Sequence, residues 1–292
     1  MAFRVEDTVW QTRAKDLALD YCLWPYERPV PPLGAALRSE AMLAHSFEVA
    51  GIFTPMMQIC AALRCALGPF KTVWGIKSRN GVLSWELYFY DYARLDRTFG
   101  MAGFRKAMEG LLNVTAPVAD DRPYFMFSVE IEKRHLMGDP IDQVDIYIGN
   151  PGSDVSSGIC YGVSLTGIEM RNFYFFFDAV RHATEIADKI ASNAHIPVSR
   201  LHLPDILWPR MASAQTIVVA NKRHNDGLYF SRIGVDPLIY FLQRLDFPAP
   251  LIEFASTHRD RFAHHLFDVG YDYLPDPQGG IRTLKGSYYG LF

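Results

Sequence analysis

The sequence predicts an α+β fold in which a ten-stranded antiparallel β-barrel is surrounded by α-helices. Three observations predict it. From Lys71 onward ten short segments alternate apolar and polar residues with a period of two, these segments fall into five pairs joined by turn-forming residues, and helix-periodic stretches separate most of the pairs. Hairpin pairing makes the sheet antiparallel, and a sheet of ten strands has reason to close because closure removes its two exposed edges. The chain reads as one domain, with residues 1–70 an N-terminal helical segment packed on a barrel formed by residues 71–292.

Pro29, Pro31 and Pro32 close the first stretch. Ala35 to Leu67 is then rich in Ala, Leu and Met, with apolar residues three and four apart, which predicts one or two helices broken near Gly51 to Pro55. The first hairpin, Thr72 to Ser78 and Leu83 to Tyr92, turns at Asn80-Gly81, a pair that readily takes the positive φ angles of a tight turn. Leu95 to Leu112 places Phe99, Phe104, Met108, Leu111 and Leu112 near one side of a helix that ends before Pro117. Tyr124 to Glu132 pairs with Gln143 to Gly149 across a loop containing Gly138-Asp139-Pro140, and Gly158 to Thr166 pairs with Met170 to Phe177. Asp178 caps a helix in which Val180, Ala183, Ile186, Ala187 and Ile190 recur at helical spacing. Pro197, Pro204 and Pro209 mark a loop. The fourth hairpin, Thr216 to Arg223 and Leu228 to Ile233, turns at Asn225-Asp226-Gly227. Asp236-Pro237 is a cap and first-turn pair for a helix from Leu238 to Leu245, and Ser256 or Thr257 starts another through Leu266. Phe267 to Leu274 and Ile281 to Leu291, joined by a Pro275 to Gly280 turn, complete the count; only the connection from Asn150 to Ser157 is too short and Gly/Ser-rich for a helix.

Composition narrows the function classes. The chain has 292 residues, of which 49% are hydrophobic and 21% charged, enough apolar material for a substantial core. A formal net charge of −3 gives no general attraction to nucleic acid or to an anionic membrane. The first thirty residues carry charges throughout, so no secretory signal is expected, and the longest greasy run, Phe173 to Phe177, falls far short of the roughly 20 residues a bilayer span requires. A cytoplasmic protein is the expectation. Cys22, Cys60, Cys65 and Cys160 are too few and too irregular for a disulfide framework or a zinc site. Asp120-Asp121 reads as a solvated loop, and adjacent helical residues such as His264-His265 point in different directions and so share no metal. Walker, dinucleotide-glycine and Gly-x-Ser-x-Gly motifs are absent.

Alternation also says which face looks inward. Helices outside need an apolar outer face: Trp85, Leu87 and Phe89, then Phe125, Phe127, Val129 and Ile131, then Val144, Ile146 and Ile148, then Phe173, Phe175 and Phe177. Ser84, Glu86, Tyr88 and Tyr90, with Met126, Ser128, Glu130 and Glu132, Asp145 and Tyr147, and Asn172 and Tyr174, then line the lumen. A tyrosine recurs on the inner face of one strand per hairpin: Tyr88, Tyr147, Tyr174, Tyr229 and one of Tyr288 or Tyr289. Tyrosine favours strands in any case; a lumen walled by its rings would bind an apolar or cationic species, since ring faces attract positive charge.

This arrangement resembles the aromatic prenyltransferases of the ABBA fold. The stretch Tyr229-Phe230-Ser231-Arg232-Ile233-Gly234-Val235-Asp236-Pro237-Leu238-Ile239-Tyr240-Phe241 is similar to the cyanobactin-type peptide prenyltransferases, and Lys285-Gly286-Ser287-Tyr288-Tyr289 to the last strand of small-molecule members. The resemblance implies a prenyl diphosphate donor in the lumen, a peptide or aromatic small-molecule acceptor, a tyrosine shield for the allylic cation made by Tyr88, Tyr147, Tyr174, Tyr229 and Tyr288, cations Lys77, Lys222, Arg232 and Lys285 for the diphosphate, and Glu86 as the acid. Asp145 joins them as an acidic lumen residue, and the one cofactor implied is a magnesium ion accompanying the diphosphate. The chain departs from the family in its short Asn150 to Ser157 connection and in the acids Glu86, Glu130, Glu132 and Asp145, which make part of the lumen acidic. The alternative reading is a non-catalytic barrel that binds a hydrophobic or cationic small molecule or a peptide; a cluster of three or more inward lysines and arginines separates the two.

Overall fold

The computed structural model describes residues 3–13, 16, 26–90, 98–117, 120–150, 154–193 and 195–292 in full, together with the backbone of 20–21 and 24–25. A two-residue ladder, β1 (Asp20–Tyr21) with β2 (Trp24–Pro25), precedes two helices, α1 (Glu40–Val49) and α2 (Phe53–Leu67). Gly51 lies between them at φ +71°, a conformation costly for any residue with a Cβ, which is why the helical pattern breaks there.

Ten strands follow: β3 (Val73–Arg79), β4 (Val82–Tyr90), β5 (Met126–Ile131), β6 (Gln143–Asn150), β7 (Ser156–Ser164), β8 (Gly167–Asp178), β9 (Thr216–Lys222), β10 (Asp226–Ile233), β11 (Phe267–Pro275) and β12 (Ile281–Leu291). Each pairs antiparallel with its neighbours in sequence, and β12 pairs with β3 (Tyr289↔Gly75, Leu291↔Val73), so the sheet is a closed ten-stranded barrel. Asn80 and Gly81 turn β3 into β4 with φ +52° and +77°, both positive as the primed turn demands.

The helices α3 (Met101–Ala107), α4 (Lys133–Leu136), α5 (Ala183–Ala191), α6 (Leu203–Ile206), α7 (Val235–Arg244), α8 (Ala249–Thr257) and α9 (Arg259–Phe262) complete the elements. The outward strand residues Trp74, Trp85, Leu87, Phe127, Val129, Ile146, Val269 and Tyr271 join Leu43, Phe47, Phe104, Phe241 and Phe262 of the helices in one large core. A second, separate cluster of Tyr26, Val73, Tyr88, Met126, Tyr147, Cys160 and Leu291 lies inside the barrel. The wall therefore carries two apolar faces, which is why its strands are richer in apolar residues than those of a water-filled barrel.

Several local expectations need correction. The helix expected over Leu95 to Leu112 is described only as Met101–Ala107, since 91–97 lie outside the described residues and Gly110 at φ +75° ends its far side. Asp178 does not cap a helix at Val180; it accepts from the N–H groups of Val180 and Arg181 in a turn, and α5 starts five residues later behind His182. Asp236 is inside the first turn of α7, paired with Arg259 at 2.5 Å, and Gly234 is the cap. Ser256 and Thr257 end α8 rather than start a helix, because Pro250 suits a first turn and sets the beginning earlier. Phe125 precedes β5 and packs toward the lumen mouth against Tyr90, and Glu132 follows β5 as the cap of α4, so neither sits where strict alternation puts it.

Candidate functional site

Tyr88, Tyr147, Tyr174, Tyr229 and Tyr289 point into the lumen at one level and close a ring. Their centroids are 6.4 Å apart from Tyr88 to Tyr147, 6.3 Å to Tyr174, 6.1 Å to Tyr229, 6.5 Å to Tyr289 and 5.8 Å back to Tyr88. A regular pentagon of that side has its centre about 5 Å from every centroid, within the roughly 6 Å at which a ring face attracts a cation.

The belt exists because large and small residues alternate around it. Tyrosines come from β4, β6, β8, β10 and β12, and their register partners on the intervening strands include Ser128, Cys160, Gly158, Gly270 and Gly75. The fit is closest at two glycines: a Cβ on Gly270 would lie 2.1 Å from Tyr229 Cδ1, and one on Gly75 would lie 2.7 Å from Tyr289 Cε1. Those rings lie flat over backbone that no side chain covers.

Tyr289 corrects the expected Tyr288. Tyr288 faces outward, edge-on to Trp74 at 5.8 Å and to Phe247 at 5.6 Å. Period-two alternation carries the reason: Lys285, Ser287 and Tyr289 share a face, so Lys285 and Tyr288 cannot both look inward.

Beyond the belt, on the hairpin-turn side, the lumen is polar, and the tyrosine hydroxyls reach into it. Tyr88 donates to Glu86 Oε2 at 2.5 Å, Asn172 Nδ2 donates to Tyr174 Oη at 2.8 Å, Lys222 Nζ donates to Tyr229 Oη at 3.3 Å, and Ser287 and Tyr289 share a hydrogen bond of 2.8 Å. Lys77 Nζ lies 2.5 Å from Glu86 Oε2 and 2.8 Å from Glu130 Oε2. Asp272 holds Lys222 at 2.7 Å and Lys285 at 3.5 Å, and Arg171 folds back to Asp145 at 3.3 Å. Thus Lys77, Lys222, Lys285, Glu86 and Asp145, all expected at the site, do come together. Among the described residues three lysines look inward, and every one of them faces a carboxylate.

Burial works against the charge on Lys77, but Glu130 and Glu86 outweigh it and hold its pKa well above the usual lysine value; Lys222 is raised in the same way by Asp272. Burial alone would lift Asp272, yet Lys222 and Lys285 bring it down to about 2. Lys285 differs: Asp272 supports its charge, while burial, Lys77 and Lys222 together outweigh that support and lower its pKa. Asp145 is pushed up to about 6 by burial and by Glu86.

Asp145 therefore keeps its proton in the folded state after the unfolded chain has released it. Stability contributed through this group is present below pH 4 and declines as pH rises to about 6, by at most about 3 kcal/mol. Asp145→Asn should flatten that decline, stabilising the protein relative to the parent at pH 7 and not at pH 4. Denaturant titrations across pH 4 to pH 7 check this, and parallel curves for the two proteins would sink it.

The opposite mouth is apolar. Tyr90, Phe125, Met126, Phe176 and Val218 surround a cavity of about 150 Å3 above the belt, a size that takes a benzene-sized molecule. Arg232, Ser231 and Asp268 stand at its rim. Arg232 is thus separated from the lysines by the belt, which corrects its grouping with them. Its backbone is at φ +61°, where the β10–β11 register slips, and its N–H donates to Asp268 Oδ1 at 2.8 Å; a non-glycine residue held there costs about 1 kcal/mol, a strain typical of functional loops.

Neither a family model nor a curated protein sequence matches this chain. The site must be read from its own geometry. Alternation in the sequence missed Asp272, Arg171 and the two ring-bearing glycines. For Asp268, Gly270 and Asp272 the signal was there, since they alternate with Phe267, Val269, Tyr271 and Tyr273. Arg171 could not be found that way, because a bulge between Cys160 and Tyr161 shifts the register beside it. Among the described residues no group of three or more His, Cys, Asp or Glu side chains is placed to hold a metal ion, and no helix is long and apolar enough to cross a membrane.

Proposed function

We propose that the barrel is a prenyltransferase, moving a dimethylallyl or longer prenyl group from its diphosphate to an aromatic or other nucleophilic group on a peptide or small metabolite. The observation that carries this reading is the closed tyrosine belt with three lysines directly beneath it. The diphosphate would lie against Lys77, Lys222 and Lys285, the allylic carbons within the belt, and the acceptor in the apolar mouth. The donor's C1–O bond breaks with its electron pair passing to the diphosphate oxygen, the acceptor's nucleophilic atom bonds to the allylic carbon, and the proton it loses is taken up by the Tyr88 hydroxyl, which passes its own proton to Glu86. Tyr88 lines the apolar mouth and its hydroxyl donates to Glu86 Oε2 at 2.5 Å, so it joins the acceptor's side of the belt to the carboxylate beneath. The five rings of the belt surround the cation, stabilising it and keeping water from it. A magnesium ion would come with the diphosphate as part of the substrate.

One observation favours a second reading, a barrel that binds an organic cation without chemistry. The floor's cations, Lys77, Lys222, Lys285 and Arg171, are matched by Glu86, Glu130, Asp145 and Asp272, so a diphosphate must displace carboxylates to be bound. Thermal unfolding separates the two. The first reading expects a saturable rise in Tm with dimethylallyl or geranyl thiolodiphosphate, with or without magnesium, corresponding to about 2.7 kcal/mol at a hundred times Kd. No shift with either analogue, together with a shift from a quaternary ammonium ion, establishes the second.

A further inference from the structure

The two ends of the lumen differ in more than polarity. At the hairpin-turn end a cleft of about 950 Å3 opens beside the Asn80-Gly81 turn, and Lys77, Arg79, Ser84, Glu130, Lys133 and Lys285 line it. Lys77 and Lys285 belong to both compartments: they form the floor beneath the belt and the inner wall of this cleft. The chain of contacts from Tyr88 to Glu86 to Lys77 links the belt to the cleft.

Charge in the cleft is unbalanced. Arg134 is taken up by Glu132 at 3.1 Å, and Glu130 is shared with Lys77, but among the described residues Arg79 and Lys133 have no ion-pair partner and both are exposed. The apolar mouth, by contrast, offers Arg232 beside Asp268, the hydroxyls of Thr216 and Ser231, and otherwise mainly rings and apolar side chains. Among the described residues that line the two openings, positive charge exceeds negative at the cleft and balances it at the mouth.

We infer that the turn-end cleft is an anion site and the port through which inorganic diphosphate leaves the barrel. The identity of the anion rests on the prenyl-transfer reading; the site itself rests on the cleft. Lys77 is suited to the passage because it spans Glu86 on the belt side and Glu130 on the cleft side, whose side chain is 42% exposed. A diphosphate moving from the belt to the cleft keeps Lys77 and Lys285 as partners throughout, while Arg79 and Lys133 receive it. The acceptor mouth stays free for the product.

Calorimetric titration with inorganic diphosphate tests this on the full chain. Wild type should bind it, and Arg79→Glu/Lys133→Glu should bind about ten-fold more weakly or worse, because two charge-assisted contacts become repulsions. Arg79→Lys/Lys133→Arg should bind as the parent does, which excludes a folding defect. No binding to wild type, or equal affinity in the charge-reversed variant, overturns the port. Dimethylallyl thiolodiphosphate, titrated alongside, keeps the two readings apart. If it binds while inorganic diphosphate is indifferent to Arg79 and Lys133, the port fails and prenyl binding stands; if only inorganic diphosphate binds, in a charge-dependent way, the anion site stands without the donor.

Discussion

Asp272→Ala should destabilise the protein by about 3–5 kcal/mol, the largest effect expected from any single polar substitution in the lumen. Asp272 is 6% exposed and, among the described residues, is the one carboxylate within ion-pair distance of Lys222 and of Lys285. Removing it leaves Lys222, itself nearly enclosed, with Tyr229 Oη as its remaining polar contact and a charge that water cannot solvate. The loss is mostly the cost of that stranded charge, not the worth of the pair. Asp272→Leu combined with Lys222→Met should accordingly be less destabilised than Asp272→Ala alone, since apolar groups of similar volume replace both members. Urea denaturation of the parent and the two variants measures this. An Asp272→Ala protein as stable as the parent would show that water reaches Lys222 and solvates its charge.

Gly270→Val should dismantle the belt. A Cβ there falls 2.1 Å from Tyr229 Cδ1 and 2.4 Å from Cε1, so the ring must swing away and the pentagon opens between Tyr174 and Tyr289. Overpacking of this kind costs about 1–3 kcal/mol. The larger consequence is functional: the rise in Tm with a prenyl thiolodiphosphate should be lost, because the cation-facing wall is no longer continuous. The steric origin is testable by non-additivity. In a Tyr229→Ala background the same Gly270→Val change should cost little stability, as the clashing ring is already gone. Additive costs would show that Gly270 matters for its backbone and not for the ring above it.

These residues also show what the sequence makes legible. The barrel could be read because its strands are short, alternating and paired through recognisable turns, and four inward tyrosines, Tyr88, Tyr147, Tyr174 and Tyr229, followed from the same parity, while the fifth is Tyr289 where Tyr288 was expected. Reading the lumen charges required more. Lys77, Glu86 and Asp145 lie on clearly alternating strands and were found. Asp272 was hidden by Tyr271 and Tyr273, outward tyrosines that look like shield residues until Tyr271 is seen stacked 4.4 Å from Trp208 with its hydroxyl on Ile206. Arg171 and Arg232 sit at register shifts, where alternation carries no information. Nor could spacing alone reveal that each lysine faces an acid across the lumen, since those pairs join strands far apart in sequence, such as Lys77 with Glu130 and Lys222 with Asp272.

Closure of the barrel between β12 and β3 also bears on how the chain reaches this state. During synthesis β3 emerges first of the ten strands and waits for its partner until β12 has been made. Until then the belt lacks Tyr289, and the sheet has two open edges and an inner face of tyrosines and buried ion pairs bathed in water. Pairings of such high sequence separation fold slowly, and an open aromatic sheet is a template for association with other chains. The lumen is therefore the last part of the barrel to become dry, and the stretch of time before Leu291 meets Val73 is when the nascent protein most needs protection from its neighbours.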